Sequence, residues 1–192
     1  MGEAQKACDH FLRASRGILT DEFLTDALLE SSILSENSSL VQYYLKVIKL
    51  FEEHNASDCI IELAETAILM ADKDDPNLPT LHSIVFMQHL NLGHHIKAYN
   101  CLNSNPDVAR RVDCLRQLVV TLFERKKLID LISFPYVDMY EDLERIVEGR
   151  ARSVDLMENN YYNFLYSFHI NKGNMRKGTN FNLLRNQRLK IF

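Results

Sequence analysis

From Leu40 to about Lys177 the sequence is a succession of amphipathic helical stretches cut by short breaks, without one convincing strand. The breaks sit near Asn55, Asp75-Pro76, Gly93, Asn105-Pro106, Phe134-Pro135 and Asn159-Asn160. Helices joined by turns this short must fold back on one another. The pattern therefore predicts an all-α fold, an α-solenoid of stacked antiparallel helical hairpins, tetratricopeptide-like but irregular. Three regions are expected: short N-terminal helices and a Ser-rich loop over 1–36, a helical solenoid segment over 37–177, and a basic, poorly ordered tail over 178–192.

The stretches differ in how they bury themselves. Leu40 to Glu53 places Val41, Tyr44, Leu45, Ile48 and Phe51 on one stripe, widened by Leu40, Val47 and Leu50, which suits contact on two sides. After a cap at Asn55 or Ser57, the small residues Ala64, Ala67 and Ala71 follow Ile60 at helical spacing and admit a partner helix closely. Asp75-Pro76 is read as a helix start, with the proline in the first turn. Leu92-Gly93-x-x-x-x-Ala98-Tyr99 resembles the joint of a tetratricopeptide hairpin, although no strict 34-residue period recurs. Val108, Val112, Leu115, Val119, Leu122 and Phe123 define the clearest helix, opened by Asn105-Pro106-Asp107. Asp138 is expected to cap a long helix through Met157, and Tyr161 begins the last regular one.

Composition is that of an ordinary folded chain, 46% apolar and 25% charged. The N-terminus has acidic and polar residues where a secretory signal needs a basic start and an apolar run, so a reducing compartment is expected. Cys8, Cys59, Cys101 and Cys114 lack any Cys-x-x-Cys pair and fall on apolar positions, as buried thiols do. The net charge of −4 is uneven. Residues 176–192 carry Arg176, Lys177, Arg185, Arg188 and Lys190 and no acid, leaving 17 basic against 26 acidic side chains before them. An acidic helical body does not invite nucleic acid.

Signals for chemistry are sparse. No phosphate loop, His-Glu-x-x-His pair or nucleophile elbow occurs, so no catalytic, cofactor-binding or metal residue is assigned and the chain is read as a non-enzyme. The best metal candidates are His82 and His89 with His94 and His95 beyond the turn, which leaves a helical metal-dependent enzyme as a weak alternative. Glu141, Asp142, Glu144 and Glu148 are interleaved with Arg145, Arg150 and Arg152, as on a solvated face with local ion pairs. The aromatic run Tyr161 to Phe168 reads as burial between hairpins, with a partner-binding patch as the alternative.

Several passages together resemble one family: Tyr44-Leu45-Lys46-Val47-Ile48-Lys49-Leu50-Phe51, Asp113 to Val120, Phe134-Pro135-Tyr136-Val137, and above all Arg150-Ala151-Arg152-Ser153-Val154-Asp155-Leu156-Met157 with Asn160-Tyr161-Tyr162 and Phe168-His169-Ile170. They are similar to the helical part of the nucleoporin-160 family, in order from about Leu40 to Lys177. The resemblance implies an α-solenoid without catalysis, no cofactor, and a structural role in the nuclear pore complex at the nuclear envelope. It also implies support of protein and messenger RNA transport, and other nucleoporins of the Y-shaped scaffold complex as partners. Neither specific nucleic acid binding nor membrane insertion is expected. Family members are far longer, so a fragment or shortened form with a non-homologous ending after Lys177 is expected, along with self-association through exposed solenoid ends. A cytoplasmic tetratricopeptide-like adaptor that binds peptides is the runner-up.

Overall fold

The computed structural model describes residues 2–18, 36–153 and 161–188; the expected helix over Glu22 to Glu30 and the Asn159-Asn160 break lie outside them. The described residues form ten helices and no strand: α1 (Glu3–Ile18), α2 (Glu36–Glu53), α3 (Ser57–Met70), α4 (Leu78–Asn91), α5 (His95–Ser104), α6 (Val108–Glu124), α7 (Leu128–Ser133), α8 (Tyr140–Ser153), α9 (Tyr161–Asn171) and α10 (Met175–Arg188). They divide into two compact units, 1–111 and 112–192. None of these helices is long and apolar enough to cross a membrane.

Two kinds of joint alternate along the chain. The tight kind follows α2, α4, α6 and α9, where one residue enters the left-handed region: Asn55 at φ 53°, Gly93 at 76°, Lys126 at 56° and Gly173 at 75°. Around each, the same pair of hydrogen bonds satisfies the last helical carbonyls. Ala56 N–H donates to Phe51 C=O, His94 to His89, Lys127 to Leu122 and Asn174 to His169, while the left-handed residue itself donates to Glu52, Leu90, Phe123 or Ile170. The next helix begins two residues later and must run back. Asn55 thus closes α2 rather than capping α3, whose preceding residue Ala56 makes no side-chain cap.

The second kind is extended. Ala71, Asn105 and Phe134 follow α3, α5 and α7 with ψ of 144°, 124° and 145°. For Asn105 and Phe134 the cause is local, since each precedes a proline that disfavours helical ψ. At Asp75-Pro76 and Asn105-Pro106 the acid or amide oxygen accepts the N–H two residues on, from Asn77 at 2.8 Å and from Asp107 at 3.0 Å. The helix after Asp75 starts at Leu78, so the proline in its first turn is Pro79, not Pro76. Asp107 caps α6, its carboxylate accepting the Arg110 N–H at 3.0 Å.

In the first unit α1 packs on α2 and α3, placing Cys8 among Val41, Tyr44, Ile60, Leu63 and Ala64. Two tyrosines of α2 fix it: Tyr43 donates to Phe11 C=O at 2.9 Å and Tyr44 to Ser15 Oγ at 2.9 Å. Helix α1 therefore belongs to the hairpin core, and α2 begins at Glu36, inside the passage read as loop. Ala64 and Ala67 are fully buried on α3, which packs between α2 and α4.

The second unit has an aromatic core. Phe123 of α6 meets Tyr161 and Phe164 of α9 with ring centroids 4.1 and 5.2 Å apart, and Phe168 meets Tyr136 and Tyr140 at 5.8 and 5.1 Å. Tyr136, at φ 42° and buried, is held there by its hydroxyl, which donates to Leu131 C=O at 2.7 Å. The segment expected as a tail from 178 is, through residue 188, the body of α10. A Cβ on Gly178 would lie 3.1 Å from Ile170 Cδ1, and Phe181 is buried against the His169 ring. Low hydrophobicity concealed this contact, which is made by a glycine and an aromatic.

Candidate interaction surfaces

The residues singled out for chemistry are dispersed. His89 is buried with Nε2 3.9 Å from Glu65 Oε1, and its ring centroid is 5.7 Å from that of His94. Burial lowers the His82 and His89 pKa values, and Lys97 pushes that of His89 further down. Among the described residues, no three His, Cys, Asp or Glu side chains meet in a set able to hold a metal ion. The four cysteines are thiols rather than disulfides. Burial raises the pKa of Cys8 to about 12 and of Cys101 to about 11, and it raises that of Cys59, so thiolate chemistry is suppressed at neutral pH.

The acidic residues of α8 separate into different tasks. Asp142 pairs with Arg145, and Glu148 with Arg152 at 3.2 Å, as the local spacing suggested. Glu144 does something else, reaching α10 and accepting from Lys177 Nζ at 2.8 and 3.1 Å. It also faces His169, whose Nε2 lies 3.6 Å from Oε1. His169 is fully buried; its Nδ1 is 2.6 Å from the Tyr140 hydroxyl and its ring stacks on Phe181. Burial raises the Tyr140 pKa, and which of the hydroxyl and His169 Nδ1 donates is set by the imidazole tautomer. Burial lowers the His169 pKa, Lys177 adds to this, and Glu144 opposes it. The group ties α8, α9 and α10 together. Only the tertiary fold joins Tyr140, Glu144, His169 and Lys177, and no spacing rule points to it.

Two further polar side chains hold joints in place. Asp75 is buried and its second oxygen accepts from Ser38 Oγ at 3.0 Å, fastening the α3–α4 joint to the first turn of α2. Asn105 is buried and its Nδ2 donates to Pro79 C=O at 2.9 Å and Ser83 Oγ at 3.2 Å, fastening the α5–α6 joint to the first turns of α4. The device repeats one hairpin apart. The sequence marks both positions as Asx-Pro turns, but a turn signal alone does not disclose the second, long-range role.

Large apolar side chains left in solvent recur on the second helix of the hairpins. In the first unit these are Leu69 and Met70 of α3 and Ile96 of α5; in the second, Ile129 of α7 with Met175 and Leu183 of α10. Ile96 and Ile129 occupy the same place, three residues after the left-handed one. The aromatic run of α9 faces inward instead: Tyr161, Tyr162, Phe164, Leu165 and Phe168 are buried and only Tyr166 of the large residues is exposed. Surfaces suited to contact are thus ridges of helices, with reactive groups buried or paired in ion pairs.

The family model described as NUP160/120 middle TPR matches residues 1–189. The chain is 48% identical over 195 residues to the nuclear pore complex protein Nup160 homolog of Drosophila melanogaster, covering 93% of this chain and 14% of that protein. It is 44% identical over 181 residues to Nup160 of Mus musculus, covering 92% of this chain and 13% of that protein. With nucleoporin NUP120 of Chaetomium thermophilum it shares 25% identity over 173 residues, covering 87% of this chain and 13% of the relative. The match reaches beyond Lys177, so the expected non-homologous ending is corrected: residues 178–189 fall within the matched family region.

Proposed function

This chain belongs to the NUP160/120 family through its middle TPR region, and from that premise we propose that it is a structural segment of the nuclear pore scaffold at the nuclear envelope. It supports traffic of protein and messenger RNA by holding other nucleoporins in place. The observation that carries this reading is the family match over residues 1–189, laid onto helical hairpins whose joints repeat. Partners are the other members of the Y-shaped scaffold complex. Binding works by removing exposed apolar ridges such as Leu69, Ile96 and Ile129 from water, at roughly 25 cal/mol per Å² of apolar surface covered. Nothing is turned over, and the protein's contribution is rigidity.

Rigidity follows from the joints. Helices closed by paired carbonyl caps, with two of the extended connections fastened by buried Asx side chains, cannot shift without breaking several hydrogen bonds together. A tagged endogenous chain should give a fluorescent nuclear rim, and its affinity purification should return scaffold nucleoporins. A diffuse cytoplasmic signal with a bound peptide would assign it to the adaptor class instead.

A further inference from the structure

Two of the four thiols lie against each other in the first unit. Cys8 of α1 and Cys59 of α3 stand 51 positions apart in sequence, yet both are buried and their thiols are hydrogen-bonded to one another. Cys8 Sγ also lies 3.9 Å from the Cys59 carbonyl oxygen and 3.8 Å from Glu62 Oε2, and Cys59 Sγ lies 3.7 Å from Gln5 Oε1. The Gln5 amide bridges the rim above them, donating to Glu62 Oε2 at 3.0 Å. Glu62 is exposed and Gln5 is half-buried, so the sulfurs sit one polar side chain below solvent.

We propose that Cys8 and Cys59 are a redox pair, which a small hydroperoxide converts to a disulfide that pins α1 to α3. The pair belongs to the first unit alone, so it stands apart from the scaffold reading. Cys59 reacts first: it is the less buried sulfur, and the hydrogen bond from Cys8 favours its thiolate. The thiolate attacks the peroxide, an S–O bond forming as the O–O bond breaks, and the departing oxygen takes the Cys59 proton and leaves as an alcohol, or as water from hydrogen peroxide. The Cys8 sulfur then displaces the hydroxyl of the Cys59 sulfenic acid. An S–S bond forms, the S–O bond breaks, and water departs with the Cys8 proton, which Glu62 is placed to carry. Two thiols are oxidised and one hydroperoxide is reduced. Burial sets the tempo: it raises both thiol pKa values, that of Cys8 to about 12, so thiolates are scarce and the bond forms slowly at neutral pH. The same property makes the bond durable, because a sulfur whose thiol has a high pKa is a poor leaving group when a reductant attacks.

The full wild-type chain, treated with hydrogen peroxide under native conditions, alkylated and mapped by peptide mass, supplies the test. The expected product is a Cys8–Cys59 peptide pair two hydrogens lighter than its parts, at least about tenfold more abundant than any other cysteine pairing, a preference lost when the oxidation is run in urea. It should form about tenfold faster at pH 8 than at pH 7, following the thiolate fraction. The oxidised chain should melt at least about 5 °C above the reduced one, since the link closes a long loop of the unfolded chain. In Cys8→Ala, Cys59 should accumulate as a sulfenic acid that dimedone traps. Preferred pairing of either residue with Cys101 or Cys114, both residues still alkylated after the peroxide is consumed, a rate indifferent to pH, an unchanged or lower melting temperature, or no sulfenic acid in Cys8→Ala would each overturn the proposal.

Discussion

Asn105 offers the sharpest test of how the hairpins are fastened. Its side chain makes three hydrogen bonds, two of them as donor to Pro79 C=O and Ser83 Oγ and one as acceptor from Asp107 N–H. At about 0.5–1.5 kcal/mol each, Asn105→Ala should cost about 2–3 kcal/mol; Pro79 C=O retains the Ser83 hydroxyl and the half-buried Asp107 N–H can reach water. Asn105→Asp is the more telling change. It keeps the shape and the acceptor, but sets a second oxygen where Nδ2 stood, facing the Pro79 oxygen at a position only 2% exposed. The near-isostere should therefore be at least as damaging as alanine at pH 7. The buried carboxyl should recover as it protonates, so lowering the pH to 5 should narrow the gap between Asn105→Asp and wild type while leaving that of Asn105→Ala unchanged. Urea unfolding followed by circular dichroism measures this, with a midpoint shift of about 1 M for the alanine variant. An aspartate variant as stable as wild type at pH 7, or an alanine variant within about 0.5 kcal/mol of it, would refute the fastening argument.

Asp75 should show the opposite preference, since both its oxygens accept; Asp75→Asn can still accept the Asn77 N–H and give a hydrogen to Ser38, so it should cost under about 1 kcal/mol against about 2 for Asp75→Ala in the same assay. Gly173→Ala should cost about 1 kcal/mol from backbone conformation alone, because its Cβ meets open space, while Lys126→Gly should be neutral or gain up to about 0.5; equal losses in thermal melts would contradict the joint geometry. Burial holds the pKa values of His169, His89 and His82 below the ordinary 6.5, so in that range the unfolded chain binds more protons than the native one. Stability should be fully present above about pH 6.5 and fall as pH drops below it; an unfolding midpoint flat from pH 7 to 5 in both wild type and His169→Gln would contradict this.

The hairpin beat was legible because its causes are local. Prolines after Asn105 and Phe134 force extended residues, Gly93 supplies a left-handed one, and the apolar spacing of α6 fixes its buried face. Lys126 was not legible: lysine has no preference for positive φ, and it adopts that conformation because Phe123 must reach Tyr161 and Phe164 while Leu131 must return to the same core. The family resemblance was carried by sequence passages, yet it stopped at Lys177, where hydrophobic pattern fades and Gly178 and Phe181 take over.

What the sequence determined by itself was therefore the class of fold, the place of most joints and the family, all of which rest on residue identity at short range. The tertiary structure alone decided which charged and polar side chains meet: Glu144 with Lys177 and His169, Asp75 with Ser38, and Asn105 with Ser83. These pairings depend on how the helices turn about their axes when they pack. That rotation is set by the summed fit of buried side chains, which no short-range spacing encodes.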